Sequence, residues 1–163
     1  MLPRVGRFEY ITTDTVIRSL VGTQYHQFNN FPDEVKKQTR SRAIMYMRDE
    51  TERFHSQLIV EDHATLYNPN TRKLERVLPE EASFFFSDII LHSVDPILVR
   101  QRRRSDPLVK RTLDLEFIKR EVLVEEDMAR KYASLSHMDL HVINDQGGPE
   151  PAERLFRLLS GYP

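Results

Sequence analysis

Arg7–Leu20, RFEYITTDTVIRSL, decides how the chain is read. Its first part, RFEYIT, has the aromatic and β-branched character of a strand. The second, DTVIRSL, is a short helical pattern behind Asp14, a residue type that caps helix N-termini. A strand that runs straight into a helix opens a β-α unit, and the same grammar recurs downstream. Ser56–Val60 (SQLIV), Ser87–Val94 (SDIILHSV) and Asp139–Ile143 (DLHVI) read as strands, the first an apolar run of the kind buried in parallel sheets.

Between and after these runs lie helices. Pro32 suits a first helical turn and Asp33-Glu34 suit the helix dipole, so a helix is expected to about Phe54, with Val35, Ala43, Ile44, Met47 and Phe54 on its apolar side. Further helices are expected over Leu78–Ala82, from Pro96 to about Arg102, over Leu115–Ser134 and over Pro151–Leu159. Gly22–Phe31 reads as a polar loop, Tyr67–Arg72 as turn chemistry, Arg102–Arg111 as a mobile charged segment, and Asn144–Gly148 as the turn after the last strand. Phe84-Phe85-Phe86 reads as core.

Strands alternating with helices predict an α/β fold: one domain over 1–163, a parallel sheet with helices on both faces, three layers deep. Such sheets bind ligands at the carboxyl ends of their strands. The candidate positions are therefore Thr12-Thr13, Glu61-Asp62-His63, the residues after Val94, and Asn144 to Gly148.

Composition narrows the function classes. With 163 residues, 39% of them hydrophobic, the chain can bury a proper core. A formal net charge of −1 demands neither nucleic acid nor an anionic membrane as partner. No apolar run approaches the roughly 20 residues of a membrane helix, and the first residues lack a secretory signal's apolar stretch. The absence of cysteine excludes disulfides, thiolate metal sites and cysteine nucleophiles, and a cytoplasmic location is the simple expectation. His137 and His141 (HMDLH) invite a metal reading, but four residues along a strand span about 13 Å, too far for one ion, so a structural role is expected. The basic run Arg100-Gln101-Arg102-Arg103-Arg104 lacks the interleaved aromatics of a nucleic-acid surface. It suits a solvated helix end or a clamp on phosphates, with an RNA contact as the remaining reading.

ITTDTVIR (Ile11–Arg18), IVEDHAT (Ile59–Thr65), SDIILHSVDPILVRQRRRSD (Ser87–Asp106) and HVINDQGG (His141–Gly148) together resemble the nucleoside monophosphate kinases of the P-loop superfamily, adenylate kinases above all and the archaeal type in particular. The resemblance covers nearly the whole chain in order. It implies an acceptor region over about 12–55 and a lid-like region over about 100–120. Thr13 and Arg18 would hold a nucleoside monophosphate, with His63 beside them. Glu61 or Asp62 would orient phosphates or serve Mg2+ through water, the choice between them left open by the adjacent carboxylates. Arg104 and Arg111, with Arg100, Arg102, Arg103 and Arg120 as further candidates, would close over the phosphates of ATP. Asn144 and Gly147 would border the donor adenine. Phosphoryl transfer of this kind is mostly positioning and charge neutralisation.

One departure from that family stands out. None of the five glycines, Gly6, Gly22, Gly147, Gly148 and Gly161, lies in G-x-x-x-x-G-K-[ST], the cradle that grips the β- and γ-phosphates. The first strand, loop and helix, roughly 30 residues by βαβ dimensions, are missing. By the resemblance that strand is central, between those at Ser56 and Ser87. A truncated start, a partner chain that completes the sheet, or a rearranged sheet is expected. A non-catalytic nucleotide-sensing or interaction domain derived from that fold is the alternative to a kinase, and a structural subunit without ligand is the third reading.

Overall fold

The computed structural model describes residues 4–5, 8–54, 57–68, 73–106, 111–145 and 150–161. The fold is mixed α/β, built from small sheets with both parallel and antiparallel strands. The chain divides into two compact units, Met1–Ser87 and Asp88–Pro163.

In the first unit, β1 (Arg4–Val5) runs antiparallel to β2 (Phe8–Thr12), and β2 runs parallel to β3 (Gln57–Glu61). The β2–β3 crossover carries α1 (Thr13–Val21), a 3-10 helix (Gly22–Asn30) and α2 (Asp33–Phe54). The expected β-α junction is present, but Thr12 rather than Asp14 is the N-cap, its Oγ1 accepting from the Thr15 N–H at 3.1 Å. That choice follows from β2 ending one residue before the helix begins: Thr12 still has extended backbone, as a cap requires. Gly22 ends α1 at φ 58, a conformation that strains residues with a Cβ, and its N–H bonds the Arg18 carbonyl. The segment expected as a loop, Gly22–Phe31, is thus mostly 3-10 helix. Phe28 anchors it, buried and edge-on to Phe31 with ring centroids 5.7 Å apart.

Helix α2 buries Ala43, Ile44 and Met47 as its pattern predicted, while Val35 is exposed and the Phe54 side chain lies outside the described residues. These residues pack in a core with Phe8, Ile11, Val16, Ile17 and Phe28. Full burial of a side chain such as Val16 or Met47 contributes about 1.5–3 kcal/mol. Tyr67 and Asn68, expected in a turn, belong instead to β4 (Thr65–Asn68), which pairs antiparallel with β5 (Lys73–Arg76); residues 69–72 lie outside the described residues. The short helix expected over Leu78–Ala82 is a 3-10 turn over Glu80–Phe84. Phe84 is not core: it is 90% exposed, whereas Phe85 and Phe86 are partly covered and lie 4.7 Å apart.

The second unit repeats the parallel motif. β6 (Asp88–Val94) and β7 (Asp139–Asp145) pair in register from Asp88↔Asp139 to Val94↔Asp145, and α3 (Pro96–Ser105) and α4 (Leu115–Ser136) lie between them in sequence. Asp95 caps α3 by accepting from the Ile97 N–H at 2.7 Å, with Pro96 in the first turn. Asp114 caps α4 in the same way, from Phe117 at 2.9 Å. Arg102–Ser105, expected to be mobile, are the last turn of α3, and Pro107 lies outside the described residues. Leu91, Ile118, Tyr132, Ala133 and Ile143 form the core with Leu159 of α5 (Glu150–Ser160). No helix among the described residues is long and apolar enough to cross a membrane.

Candidate functional site

The register of β2 and β3 sets Thr12 beside Glu61, so both strands end at one edge of their sheet. Because β2 runs directly into α1, the first turn of α1 begins at that edge. Its N–H groups have no partner within the helix and carry the positive end of the dipole.

Thr12 is committed to its cap and to the Thr15 hydroxyl, 2.8 Å away. Thr13 is different. It is 5% exposed, and its hydroxyl meets no partner at hydrogen-bonding geometry. A buried hydroxyl in that condition costs about 1–3 kcal/mol.

The adjacent carboxylates separate cleanly. Glu61 is exposed and accepts a hydrogen bond from the Tyr10 hydroxyl, two positions back on the same face of the sheet. Asp62 keeps solvent contact, yet protein is dense enough about its carboxyl for burial to push its pKa up. The His63 N–H, which donates to Oδ1 at 2.7 Å, opposes that rise. So do the Thr13 hydroxyl and the charges of His63 and Arg40. Asp62 is therefore the carboxylate that shares its surroundings with Thr13.

Arg18 lies about 7.5 Å of helical rise beyond Thr13. It is exposed, with its guanidinium 4.5 Å from the centroid of the Tyr25 ring. Burial pushes the Tyr25 hydroxyl pKa up, and Asp14 adds to the rise, while Arg18 lowers it by a smaller amount. Arg18 is thus parked on an aromatic face rather than freely solvated.

Arg40 of α2 was not legible as a site residue. Burial lowers its pKa, and Asp62, Glu75 and Asp33 raise it, in that order. Its guanidinium lies 5.7 Å from the Phe28 ring centroid, and it lines a groove of about 400 Å³ between the start of α2, the β4–β5 hairpin and Val77–Pro79. A usable signal existed. Lys36, Thr39 and Arg40 continue, toward the N-terminus, the stripe that Ala43, Ile44 and Met47 bury, and Lys36 and Thr39 are themselves buried. Polar residues on the apolar face of a helix require partners or a function.

In the second unit the strand ends are occupied structurally. Asp145 is 5% exposed, and its Oδ2 lies 2.6 Å from Arg102 Nη2 and 3.4 Å from His92 Nε2. Arg103 pairs with Glu121 of α4 at 2.8 Å and donates to the Thr112 carbonyl at 3.4 Å. Two arginines of the basic run thus fasten the unit together. Arg100 and Arg104 are exposed on α3, Arg111 precedes α4, and Arg120 is exposed on α4. Asn144 is an exposed residue of β7 rather than part of a turn, and Gly147 and Gly148 lie outside the described residues.

The two histidines weighed for metal play separate parts. His137 ends α4 at φ 54, its N–H bonded to the Ala133 carbonyl, and His141 Nε2 lies 3.1 Å from Asp88 Oδ1 across the β6–β7 pair. Among the described residues, no group of three or more His, Cys, Asp or Glu is placed to hold a metal ion. No protein-family model matches the chain, and no curated protein matches it.

Proposed function

We propose that the chain binds a nucleoside monophosphate at the carboxyl edge of β2 and β3, as the acceptor half of an adenylate-kinase-like nucleotide kinase. The buried, unpartnered Thr13 hydroxyl carries this reading. A phosphate oxygen accepts from that hydroxyl and from the first N–H groups of α1, where the helix dipole favours an anion. Arg18 leaves Tyr25 to make a charge-assisted contact with the phosphate. Asp62 orients Arg40 and the His63 backbone from behind.

ATP with Mg2+ would supply the phosphoryl group, with either carboxylate meeting the metal only through water. Arg100, Arg104 and Arg111 are the cations we assign to donor phosphates, and Asn144 and Gly147 the residues we assign to the donor base. The glycine-rich cradle is supplied from elsewhere. A three-layer parallel sheet is then completed by a strand added at β3, the edge opposite β1 among the described residues. Leu58, Ile59 and Val60 make that edge apolar on both faces, and all are half-buried. Such a strand belongs in the middle of a parallel sheet.

A second reading, monophosphate sensing without transfer, is favoured by the engagement of Arg102 and Arg103 in ion pairs. Calorimetric titration with AMP and ATP separately, followed by a transfer assay, tells them apart. Both readings predict monophosphate binding, and only the kinase turns over once a phosphate loop is supplied. A chain that shows neither heat nor thermal shift with any nucleoside monophosphate sinks both. At a hundredfold excess over Kd, binding should stabilise it by about 2.7 kcal/mol.

A further inference from the structure

We infer that the groove between the start of α2 and the β4–β5 hairpin seats the base and ribose of the monophosphate, with Arg40 in its wall. This deepens the reading above and rests on it for the phosphate.

Size is the first argument. A volume of about 400 Å³ lies in the range of small-molecule pockets, roughly 300–1,000 Å³. Charge is the second. Lys36, Lys37, Arg40 and Arg76 line the groove against Asp33, Glu34 and Glu75, a single cation in excess. Lys36 is already matched to Asp33 at 2.7 Å. A polyphosphate would meet as much repulsion as attraction there, whereas a neutral polar body bearing one anionic group suits the balance.

Wall chemistry is the third. Tyr67 and Leu66 line the groove from the hairpin and are 41% and 40% exposed, so they offer an aromatic face and an aliphatic edge to a flat ring. Asn29, which is exposed, brings a carboxamide that both donates and accepts, as the hydrogen-bonding edge of a base requires, whereas the buried Asn68 donates to Glu75 at 2.8 Å and holds the hairpin wall. The Asp33 and Glu34 carboxylates are acceptors for ribose hydroxyls. The fourth argument is continuity. The Arg40 guanidinium lines the groove, and its charge acts on Asp62, whose carboxyl is influenced in turn by the Thr13 hydroxyl. One cation thus lines the groove and acts on the strand-end carboxylate.

The test uses the full chain and calorimetry with AMP, GMP, CMP and UMP, their nucleosides, and inorganic phosphate. The expected result is that Tyr67→Ala weakens the preferred monophosphate and its nucleoside about tenfold, with phosphate binding unchanged and Tyr67→Phe restoring affinity. Arg40→Gln should weaken monophosphate and phosphate while sparing the nucleoside. If the monophosphate binds and Tyr67→Ala alters neither it nor the nucleoside, the groove is not the seat, and the strand-end site stands alone. If no phosphate-bearing ligand binds the unaltered chain, the strand-end reading falls. A nucleoside that then binds and is lost in Tyr67→Ala keeps the groove. Circular dichroism and the unfolding midpoint of each variant establish that it is folded.

Discussion

Replacing Thr13 with valine should make the protein more stable and worse at holding a phosphate. The two side chains have nearly the same shape and the same branching at Cβ, so packing against α1 and β2 is retained. What changes is one hydroxyl that is buried and lacks a partner at hydrogen-bonding geometry. Burying such a group costs about 1–3 kcal/mol, part of which its interaction with the Asp62 carboxyl recovers, so a net gain of about 1 kcal/mol is expected. For a chain of this length that corresponds to a rise in Tm of roughly 2–4 °C. The same hydroxyl, given a phosphate oxygen, makes a hydrogen bond to a charged group worth about 1.5–3 kcal/mol, so monophosphate affinity should fall roughly 10- to 150-fold. Urea unfolding and calorimetric titration on one preparation measure both quantities. A Thr13→Val chain destabilised by 1 kcal/mol or more would refute the reasoning, because the hydroxyl would then serve the fold through Asp62. Unchanged affinity would remove Thr13 from the site.

Asp62→Asn should remove a pH dependence. Burial disfavours the ionised carboxyl, so wild-type stability falls as pH rises above the unfolded value of 3.8 and stays lower beyond the raised folded value. The variant should therefore exceed wild type in urea midpoint at pH 7, with the advantage shrinking toward pH 4; an advantage that grows on acidification would contradict the sign. Arg102→Ala should leave monophosphate affinity unchanged while lowering stability by about 1–2 kcal/mol. Asp145 is buried, and Arg102, whose side chain is 57% exposed, lies 2.6 Å from its carboxylate. A tenfold loss of binding in that variant would return Arg102 to the site. Phe84→Ser should shift the unfolding midpoint by no more than about 0.5 kcal/mol, as suits an exposed side chain; a loss above 2 kcal/mol would show the ring to be buried in solution.

Elements whose cause is local were legible in the residue order. The β2–α1 junction, the proline-led starts of α2 and α3, the long α4 and the parallel strands β3, β6 and β7 follow from apolar runs, caps and dipole-matched charges within a few residues. The position of Thr13 and Asp62 just beyond two parallel strands was legible for a related reason, because the runs that form β2 and β3 end directly before them. Elements whose cause is distant were not. The β4–β5 hairpin depends on cross-strand pairs such as Tyr67↔Leu74, in a stretch whose composition reads as turn. Phe84 is apolar by type and uncovered by position, and composition carries no information on that difference.

For the site, residue order supplied which groups could bind a phosphate, and tertiary packing decided which are available to do so. Arg100, Arg102, Arg103 and Arg104 are equivalent as a basic run. Folding sets Arg102 against Asp145 and Arg103 against Glu121, and leaves Arg100 and Arg104 exposed. Glu61 and Asp62 are neighbours in sequence with opposite fates, because successive residues at a strand end point to different sides. One meets the Tyr10 hydroxyl, and the other meets the surroundings of Thr13 and Arg40. Side-chain type is a property of the chain, whereas desolvation and partnership depend on which distant segments pack around it.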